Sequence, residues 1–149
     1  RFTWCRFPPG SYFSTPRLGR GLAVGDLDAD GDPDLAISNS NEPAALLANE
    51  TPPLGGWLQV RLVGTRSNRD GLGSRLVLHT TAGDQLRHVK GGGSYLSQGD
   101  TRPFWGIAQG TRVLGLTIAW PSGAIQHSGA LAAGQVHTFI EPSVEPGLP

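Results

Sequence analysis

The chain has 149 residues, with twelve basic and twelve acidic side chains and a formal net charge of zero. This length fits one domain, or one small domain with part of a second. Balanced charge gives no overall field that would attract nucleic acid or a membrane, and no apolar run is long enough to span a bilayer. The 22 glycines and 12 prolines favour many short strands over helices, so we predict an all-β protein.

The first twenty residues, RFTWCRFPPGSYFSTPRLGR, are predicted to form an extended N-terminal arm rich in aromatic and arginine side chains. The alternation in FTWCRF predicts a short strand, which Pro8, Pro9 and Gly10 would end. The arm holds too many aromatic side chains for a solvated tail, so we expect it to pack against a surface. Cys5 is the only cysteine, so no internal disulfide can form.

Residues 21–50 predict a strand, an acidic loop and two further strands. GLAV leads into the loop, DLAIS leads out of it, and AALLAN follows as the third strand. Carboxylates this dense repel one another, so something must neutralise them. A metal site, a catalytic carboxylate cluster and a solvated acidic turn are the alternatives. Five of the eight aspartates alternate along this loop: Asp26, Asp28, Asp30, Asp32 and Asp34.

The spacing of these aspartates favours a metal site. Counting Asp26 as position 1, carboxylates stand at positions 1, 3, 5 and 9, and Gly31 at position 6 permits a sharp turn. Alternating oxygen ligands around such a turn suit a hard cation, and the lack of nearby His or Cys disfavours Zn²⁺. We therefore predict Ca²⁺ bound by the side chains of Asp26, Asp28, Asp30 and Asp34. Asp32 would contribute its backbone carbonyl and point its side chain outward.

The loop differs from an EF-hand, because position 12 is Ile37 where that loop needs a bidentate Glu. Asp34 would have to supply the bidentate ligand, and strands replace the flanking helices. GLAVGDLDADGDPDLAISN resembles the calcium loop of FG-GAP (VCBS-type) β-propeller repeats, as in integrin α chains. The resemblance implies Ca²⁺ and a single blade-like segment over residues 21–50. No Ser-His or Cys-His arrangement is recognisable beside the loop, so we expect no enzyme activity.

After the boundary ETPPLGG, residues 57–141 predict five strands with alternating apolar side chains. The stretches are WLQVRLV, SRLVLHT, DQLRHVK, RVLGLTIAW and QVHTFIE, and residues 142–149 form a tail. This pattern is typical of an antiparallel β-sandwich or barrel. The predicted shared faces are Leu58, Val60 and Leu62; Leu76 and Leu78; Leu114, Leu116, Ile118 and Trp120; and Val136, Thr138 and Ile140.

Three shorter features are open to two interpretations each. Asn68 and Asp70 could form a second cation site, but a hairpin turn explains these residue types better. Asn49 begins the glycosylation sequon Asn49-Glu50-Thr51, but Pro52 follows it directly, so an unmodified surface turn is the favoured interpretation. His79 and His88 could meet across a hairpin, although solvent-facing positions explain the histidines more simply.

The C-terminal motifs WLQVRLVGTRSNRDGLGSRLVLHT, GGGSYLSQ and TIAWPSGAIQ resemble, in this order, the ASPIC/UnbV domain. That domain follows FG-GAP repeats in the cartilage acidic protein family and in many bacterial secreted proteins, which implies a secreted or cell-surface location. With the calcium loop, the resemblance covers residues 21–141. The chain departs from the family pattern at FWGIAQG, where an FGLG-like turn is usual, and it shows one loop where most members have several.

A single blade cannot bury its apolar face alone, so we expect a partner surface to cover it. We predict a non-catalytic, extracellular, calcium-binding structural or adhesive β-protein. It would assemble into a homo-oligomer or filament by strand exchange, with the aromatic arm as donor. The alternative is a monomeric ligand- or carbohydrate-binding fragment of a larger secreted propeller protein, or an enzyme accessory domain. A carbohydrate or matrix partner is possible, whereas nucleic acid and membrane insertion are not expected.

Overall fold

The structure, a computed structural model, describes residues 7–143 as ten strands and one short 3₁₀ helix, which confirms the all-β class. The strand predicted over residues 2–7, apart from Phe7, and most of the predicted tail lie outside the described residues. The 3₁₀ helix is Tyr12–Ser14, and the strands are β1 Gly19–Gly25, β2 Asp34–Asn39, β3 Ala45–Leu47, β4 Gly55–Val63, β5 Arg75–Thr80, β6 Gly83–His88, β7 Phe104–Ala108, β8 Val113–Ala119, β9 Ile125–Ser128 and β10 Gln135–Ile140.

The three strands predicted within residues 21–50 are present as β1, β2 and β3, and they form an antiparallel sheet. Leu22 lies opposite Ile37, and Val24 lies opposite Leu35. Residues directly opposite each other share a face of an antiparallel sheet, so these four side chains form one apolar face. Leu22 and Val24 are still 40% and 42% exposed, so the described residues cover that face only in part.

The remaining strands form two sheets that enclose one core, which makes this part of the chain a β-sandwich. The first sheet has the order β10-β4-β7 and the second the order β6-β5-β8-β9. Neither sheet closes into a barrel within residues 7–143. One pairing departs from the antiparallel expectation, because β10 runs parallel to β4. The segment between β9 and β10 crosses from the second sheet to the first, so β10 enters in the same direction as β4.

The core lies between the two sheets, as the alternating patterns of β4 and β5 predict. Leu58 and Val60 of β4 and Leu76 and Leu78 of β5 are fully buried. Trp105, from a stretch that the sequence did not identify as a strand, is the largest fully buried side chain of the described chain. The other buried apolar residues of this cluster are Leu62, Val89, Ile107, Val113, Leu116, Ile118, Trp120 and Ala124.

The predicted inward face of β8 is wrong at one residue. Leu114 is 53% exposed, whereas Val113 before it and Leu116 after it are buried. The pairing of β8 with β5 shifts register at this point, with His79 opposite Gly115 and Thr80 opposite Val113. This β-bulge inserts one residue and reverses the alternation, so Leu114 points to solvent.

The predicted inward face of β10 is wrong throughout. Val136 and Ile140 are 40% and 61% exposed, while Phe139 packs against the core. In the parallel register, Phe139 lies opposite the buried Leu62 and therefore shares its face. Two residues further on, Glu141 is also directed inward and is buried.

Strands β7 and β9 were not predicted, and their sequences explain why. FWGIA has a glycine at its centre, and only one residue separates the four-residue IQHS from the turn WPSG. A strand this short carries little alternation of its own. Each is instead held by pairing with a longer neighbour, β7 with β4 and β9 with β8.

Glu141, directly after β10, is hydrogen-bonded to the loop that follows β4. Its Oε2 accepts the backbone N–H groups of Thr65, Arg66 and Ser67, each at 2.8 Å. Its Oε1 accepts the Ser67 hydroxyl at 2.7 Å and the Ser122 hydroxyl. Burial alone would raise the pKa of Glu141, but these hydrogen bonds outweigh it and hold the pKa far below the usual range.

The described part of the N-terminal arm folds back onto the three-stranded sheet. The Tyr12 hydroxyl donates to Asn39 at 2.9 Å, and Arg17 pairs with Glu42 at 2.6 Å. The Arg17 guanidinium also lies over the Tyr12 ring, 4.9 Å from its centre. Phe13 packs against Tyr12 and Phe7. The arm from residue 7 onward thus packs on the turn between β2 and β3.

Candidate metal centre

The aspartate loop lies between β1 and β2, and the pairing of these strands brings its two ends together. Gly25 lies opposite Asp34 at the end of the ladder, so residues 26–33 form the loop. Three of the predicted side chains meet at its base: oxygen atoms of Asp26, Asp28 and Asp34 lie within 4.8 Å of one another. The alternate spacing and the hairpin closure together produce this cluster.

Asp34 organises the cluster and is 2% exposed. Its Oδ2 accepts the Leu27 backbone N–H at 2.8 Å, and its Oδ1 accepts that of Asn49 at 2.9 Å. The bonds from Asn49 and Leu27 lower the pKa of Asp34, because they favour its charged form. Asp34 therefore remains a carboxylate and ties the loop to the chain after β3.

Asp30 lies outside the three-carboxylate cluster. Its Oδ1 accepts the backbone N–H of Asp32 at 3.0 Å, and Asp28 accepts that of Asp30 at 3.3 Å. These local bonds curl the loop, as Asp side chains commonly do in turns. Burial raises the pKa of Asp32, and the charges of Asp30 and Asp34 raise it further. Both effects favour the protonated form of Asp32.

Two carboxylate oxygens of the loop are buried without a hydrogen-bond donor among the described residues. They are Oδ1 of Asp26 and Oδ1 of Asp32. The Asp32 side chain was expected to point to solvent, but one of its oxygens is buried. A buried, unpaired carboxylate oxygen is costly, and a cation is the partner that would remove this cost. The donor set is oxygen only, which fits a hard ion such as Ca²⁺.

Gly31 connects the loop to the sandwich through Trp57 at the start of β4. Its φ is +96°, and a Cβ added there would lie 1.8 Å from the Trp57 indole nitrogen. Only glycine therefore allows the loop to press on this ring. Trp57 in turn stacks on Phe104, with ring centroids 6.3 Å apart and planes 16° apart. The conformation of the loop is thereby coupled to the first sheet of the sandwich.

A second connection between the repeat and the sandwich runs through the segment between β6 and β7. Its Asp100 N–H donates to the Val24 carbonyl at 2.8 Å and so caps the free edge of β1. The Asp100 carboxylate accepts from Arg102 and from the buried Gln59 of β4, at 2.7 and 3.0 Å. Burial opposes ionisation of Asp100, but the bonds from Arg102 outweigh it and lower its pKa.

The Asn68–Asp70 segment forms a turn in the structure. Asn68 accepts the Asp70 N–H through its side chain at 3.0 Å and the Gly71 N–H through its carbonyl at 2.8 Å. Gly71 has a φ of +66°. Within the described chain, Asp70 belongs to no cluster of metal-binding side chains.

A groove of about 800 Å³ separates the aspartate loop from β7 and the segment before β4. Its walls include the Trp57 and Phe104 rings, the prolines of residues 52–53 and the 90% exposed Leu54. Asp30 and Asp32 lie at the end formed by the loop. Asn49 lies beside it, and its side chain accepts the Thr51 hydroxyl at 2.7 Å. Neither the volume nor the aromatic pair was evident from the sequence, because the two rings are 47 residues apart in the chain.

No helix within residues 7–143 is long and apolar enough to cross a membrane. Two family models match the chain: the FG-GAP repeat over residues 18–51, and ASPIC and UnbV over residues 64–146. The first includes the aspartate loop and its three strands, and the second includes most of the sandwich.

Curated relatives match across both regions. Cartilage acidic protein 1 of Xenopus tropicalis and of Homo sapiens are each 27% identical over 137 residues, and that of Mus musculus is 26% identical over the same length. The alignments cover 89% of this chain but only 20–21% of each relative, so the chain spans about a fifth of their length. Since the ASPIC and UnbV model alone covers more than half of its residues, the chain belongs to the ASPIC and UnbV family and carries an FG-GAP repeat before that domain.

Proposed function

We propose that this chain is a calcium-binding, non-catalytic structural or adhesive β-protein that acts outside the cell. The observation that carries the proposal is the cluster of Asp26, Asp28 and Asp34, with one buried Asp26 oxygen that has no donor among the described residues. The FG-GAP match and relatives named for cartilage support an extracellular setting. Asp34, with both oxygens engaged by backbone N–H groups, is suited to hold structure rather than to transfer protons.

A bound Ca²⁺ ion would draw on the side chains of Asp26, Asp28 and Asp34 and on nearby loop oxygens. It would neutralise the repulsion among the loop carboxylates and hold the loop in one conformation. Because Gly31 presses on Trp57 and Asp34 is bonded to Asn49, that conformation also fixes how the loop contacts β4 and the chain after β3. Calcium would thereby stiffen the junction between the repeat and the sandwich.

Thermal unfolding with Ca²⁺ or with chelator tests this proposal. An ion that binds only the folded state stabilises it, by about 2.7 kcal/mol at a hundredfold excess over the dissociation constant. We expect Asp26→Asn to abolish the calcium-dependent rise in Tm. The matched variant Asp70→Asn, which removes a charge outside the loop, should retain it. Equal calcium responses in both variants, or calorimetry without Ca²⁺ binding at millimolar concentration, would reject the site.

We further propose that copies of the chain associate by strand exchange at β3. Within the described residues, β3 pairs only with β2, so its other edge is open, whereas the free edge of β1 is capped by Asp100. Leu46 at the centre of β3 is 73% exposed. An open edge offers unpaired N–H and C=O groups to an extended segment, and the alternating residues 1–6 of a second copy are a suitable donor.

Deletion of residues 1–6 removes most of the proposed donor strand and retains the residues whose contacts are described above. We expect size-exclusion chromatography and electron microscopy to show assemblies for the full chain and monomers for the truncated chain. Leu46→Lys should also block assembly, because charge on an edge strand opposes pairing. Leu114→Lys, at another exposed leucine, is the control. Unchanged assembly after truncation would exclude the arm as donor.

The groove favours a second candidate function, binding of a carbohydrate by a monomeric chain. Its volume suits a small ligand, and the stacked Trp57 and Phe104 rings form an aromatic wall with carboxylates at one end. Aromatic faces combined with a few polar groups are suited to sugars.

A glycan array followed by calorimetry on any ligand it identifies tests the groove. We expect Leu54→Ala, which shortens an exposed wall residue, to weaken binding, while Leu96→Ala at an 89% exposed leucine outside the groove does not. Binding that is insensitive to Leu54→Ala, or no bound glycan at all, would argue against this function.

A further inference from the structure

The outer face of the four-stranded sheet carries a row of four polar side chains, one from each strand. Asp84 lies opposite His79 in the β6–β5 ladder, and Thr117 lies opposite His127 in the β8–β9 ladder. Residues directly opposite each other share a face. The β5–β8 ladder places Thr117 opposite Val77, two residues from His79, so all four side chains lie on the same side of the sheet.

Three hydrogen bonds connect this row without a break. The His79 Nδ1 atom is 2.9 Å from an Asp84 carboxylate oxygen, and its Nε2 is 2.9 Å from the Thr117 hydroxyl. The same hydroxyl is 3.1 Å from Nδ1 of His127. Two imidazole nitrogens from strands that are not neighbours therefore converge on one oxygen. The sequence left open a meeting of His79 with His88 across a hairpin, but His88 lies opposite Arg75.

The hydrogen bonds determine where the protons are. A carboxylate can only accept, so the neutral His79 ring carries its proton on Nδ1 and has a lone pair on Nε2. The Thr117 hydroxyl then donates to Nε2, and His127 donates its Nδ1 proton to the hydroxyl oxygen. Asp84 thus fixes the tautomer of His79 and directs the Nε2 lone pair at Thr117.

The order Asp84, His79, Thr117 is also that of an acid–base–nucleophile triad, but its surroundings do not suit acyl transfer. Such chemistry needs backbone N–H donors aimed at the developing oxyanion. Thr117 lies in the middle of β8, whose backbone is paired with β5 on one side and β9 on the other. The neighbouring N–H groups are thereby used in the ladders, and the row is on an open sheet face.

We propose that this row is a binding site for a borderline transition-metal ion, Cu²⁺ or Zn²⁺. His79 Nε2, His127 Nδ1 and the Thr117 hydroxyl oxygen would be the ligands. Imidazole nitrogens prefer these ions, whereas the oxygen-only aspartate loop prefers Ca²⁺. Asp84 bonded to the far nitrogen of His79 has the position of the carboxylate that orients a metal-binding histidine.

The geometry requires only a small rearrangement to accept the ion. Both nitrogens lie within 3.1 Å of the Thr117 oxygen, and metal–nitrogen bonds are about 2.0–2.1 Å long. Two atoms bound to one tetrahedral ion at this length lie about 3.3 Å apart, so the ion would sit beside the three atoms and Thr117 would keep its proton. His127 is exposed, and it would move its proton from Nδ1 to Nε2 so that Nδ1 can bind. His79 is already held in place by Asp84.

Electron paramagnetic resonance of the tag-free full chain with one equivalent of Cu²⁺ tests the site, with excess Ca²⁺ present to occupy the oxygen-only loop. We expect splitting from two imidazole nitrogens, and a Cu²⁺ affinity that falls at least tenfold in His79→Ala and in His127→Ala. Asp84→Asn should weaken binding by about tenfold, the lower end of the range for the carboxylate partner of a metal-binding histidine. His88→Ala, at an exposed histidine outside the row, should bind Cu²⁺ as the wild type does.

Circular dichroism on each variant separates loss of binding from loss of folding. Unchanged Cu²⁺ affinity in folded His79→Ala or His127→Ala would overturn the proposal. A spectrum with one nitrogen ligand or none would overturn it as well. A signal that excess Zn²⁺ removes from the wild type would support a site open to either ion.

Discussion

At the scale of single residues, the buried carboxylates of Glu141 and Asp34 each hold neighbouring segments together by accepting hydrogen bonds. Both oxygens of Asp34 accept backbone N–H groups, whereas Oε2 of Glu141 accepts three backbone N–H groups and Oε1 accepts two hydroxyls. Such bonds are charge-assisted and therefore stronger than those between neutral groups. Glu141 secures the sandwich in this way, and Asp34 secures the aspartate loop.

Glu141→Gln should destabilise the chain by about 3 kcal/mol, since an amide nitrogen would face N–H and O–H donors that a carboxylate now satisfies. Urea unfolding monitored by Trp fluorescence measures the loss. Glu42→Gln, which removes an exposed ion pair with Arg17, should cost less than about 1 kcal/mol. Similar losses for the two variants would contradict the role given to Glu141.

At the scale of elements, the β-bulge in β8 determines which leucines stabilise the sandwich. Leu116 is 1% exposed and Leu114 is 53% exposed, although an unbroken strand would place both on one face. The bulge also places Gly115, which has no side chain, opposite His79. One irregularity therefore affects both the core and the histidine row on the outer face.

Leu116→Ala should cost about 2–5 kcal/mol of unfolding free energy, because it leaves a cavity in a packed core. Leu114→Ala, on the same strand with the same change of side chain, should cost less than about 0.5 kcal/mol. Urea unfolding of the two variants measures the difference. Equal losses would mean that β8 pairs without the bulge.

At the scale of the whole molecule, acid should destabilise the fold. The pKa values of Asp34, Asp100 and Glu141 are lowered, so each contributes stability that is present above its unfolded pKa and is lost as the pH falls. The pKa of Asp32 is raised, so its protonation favours the folded state and offsets part of the loss. Because three groups act against one, we expect the net effect to be a loss.

Unfolding free energies measured in chelator from pH 7 downward should therefore decline once the pH falls below 4.5, the ordinary pKa of Glu. The decline should be shallower in Glu141→Gln, which lacks the carboxyl group with the strongest shift. Chelator separates this effect from release of calcium. Parallel pH profiles for the variant and the wild type would show that Glu141 does not drive the acid response.

Much of the fold could be predicted from the sequence where the signal is local. The alternation in β4 and β5 identified their buried faces, and the three strands around the aspartate loop follow their predicted order. The spacing of the loop aspartates indicated a metal site, and the structure brings Asp26, Asp28 and Asp34 together at its base. Period-two patterns and turn residues describe a short stretch by itself, so they are readable without the rest of the chain.

Only the tertiary structure decided the features that depend on pairing between distant segments. The faces of β8 and β10 follow from register against β5 and β4, and a shift of one residue reverses which side chains are buried. The cap on β1, the Trp57–Phe104 groove and the row from Asp84 to His127 each join residues far apart in sequence. The sequence by itself determined an all-β chain with an acidic loop, whereas the packing of that loop on the sandwich was set by non-local contacts that alternation does not encode.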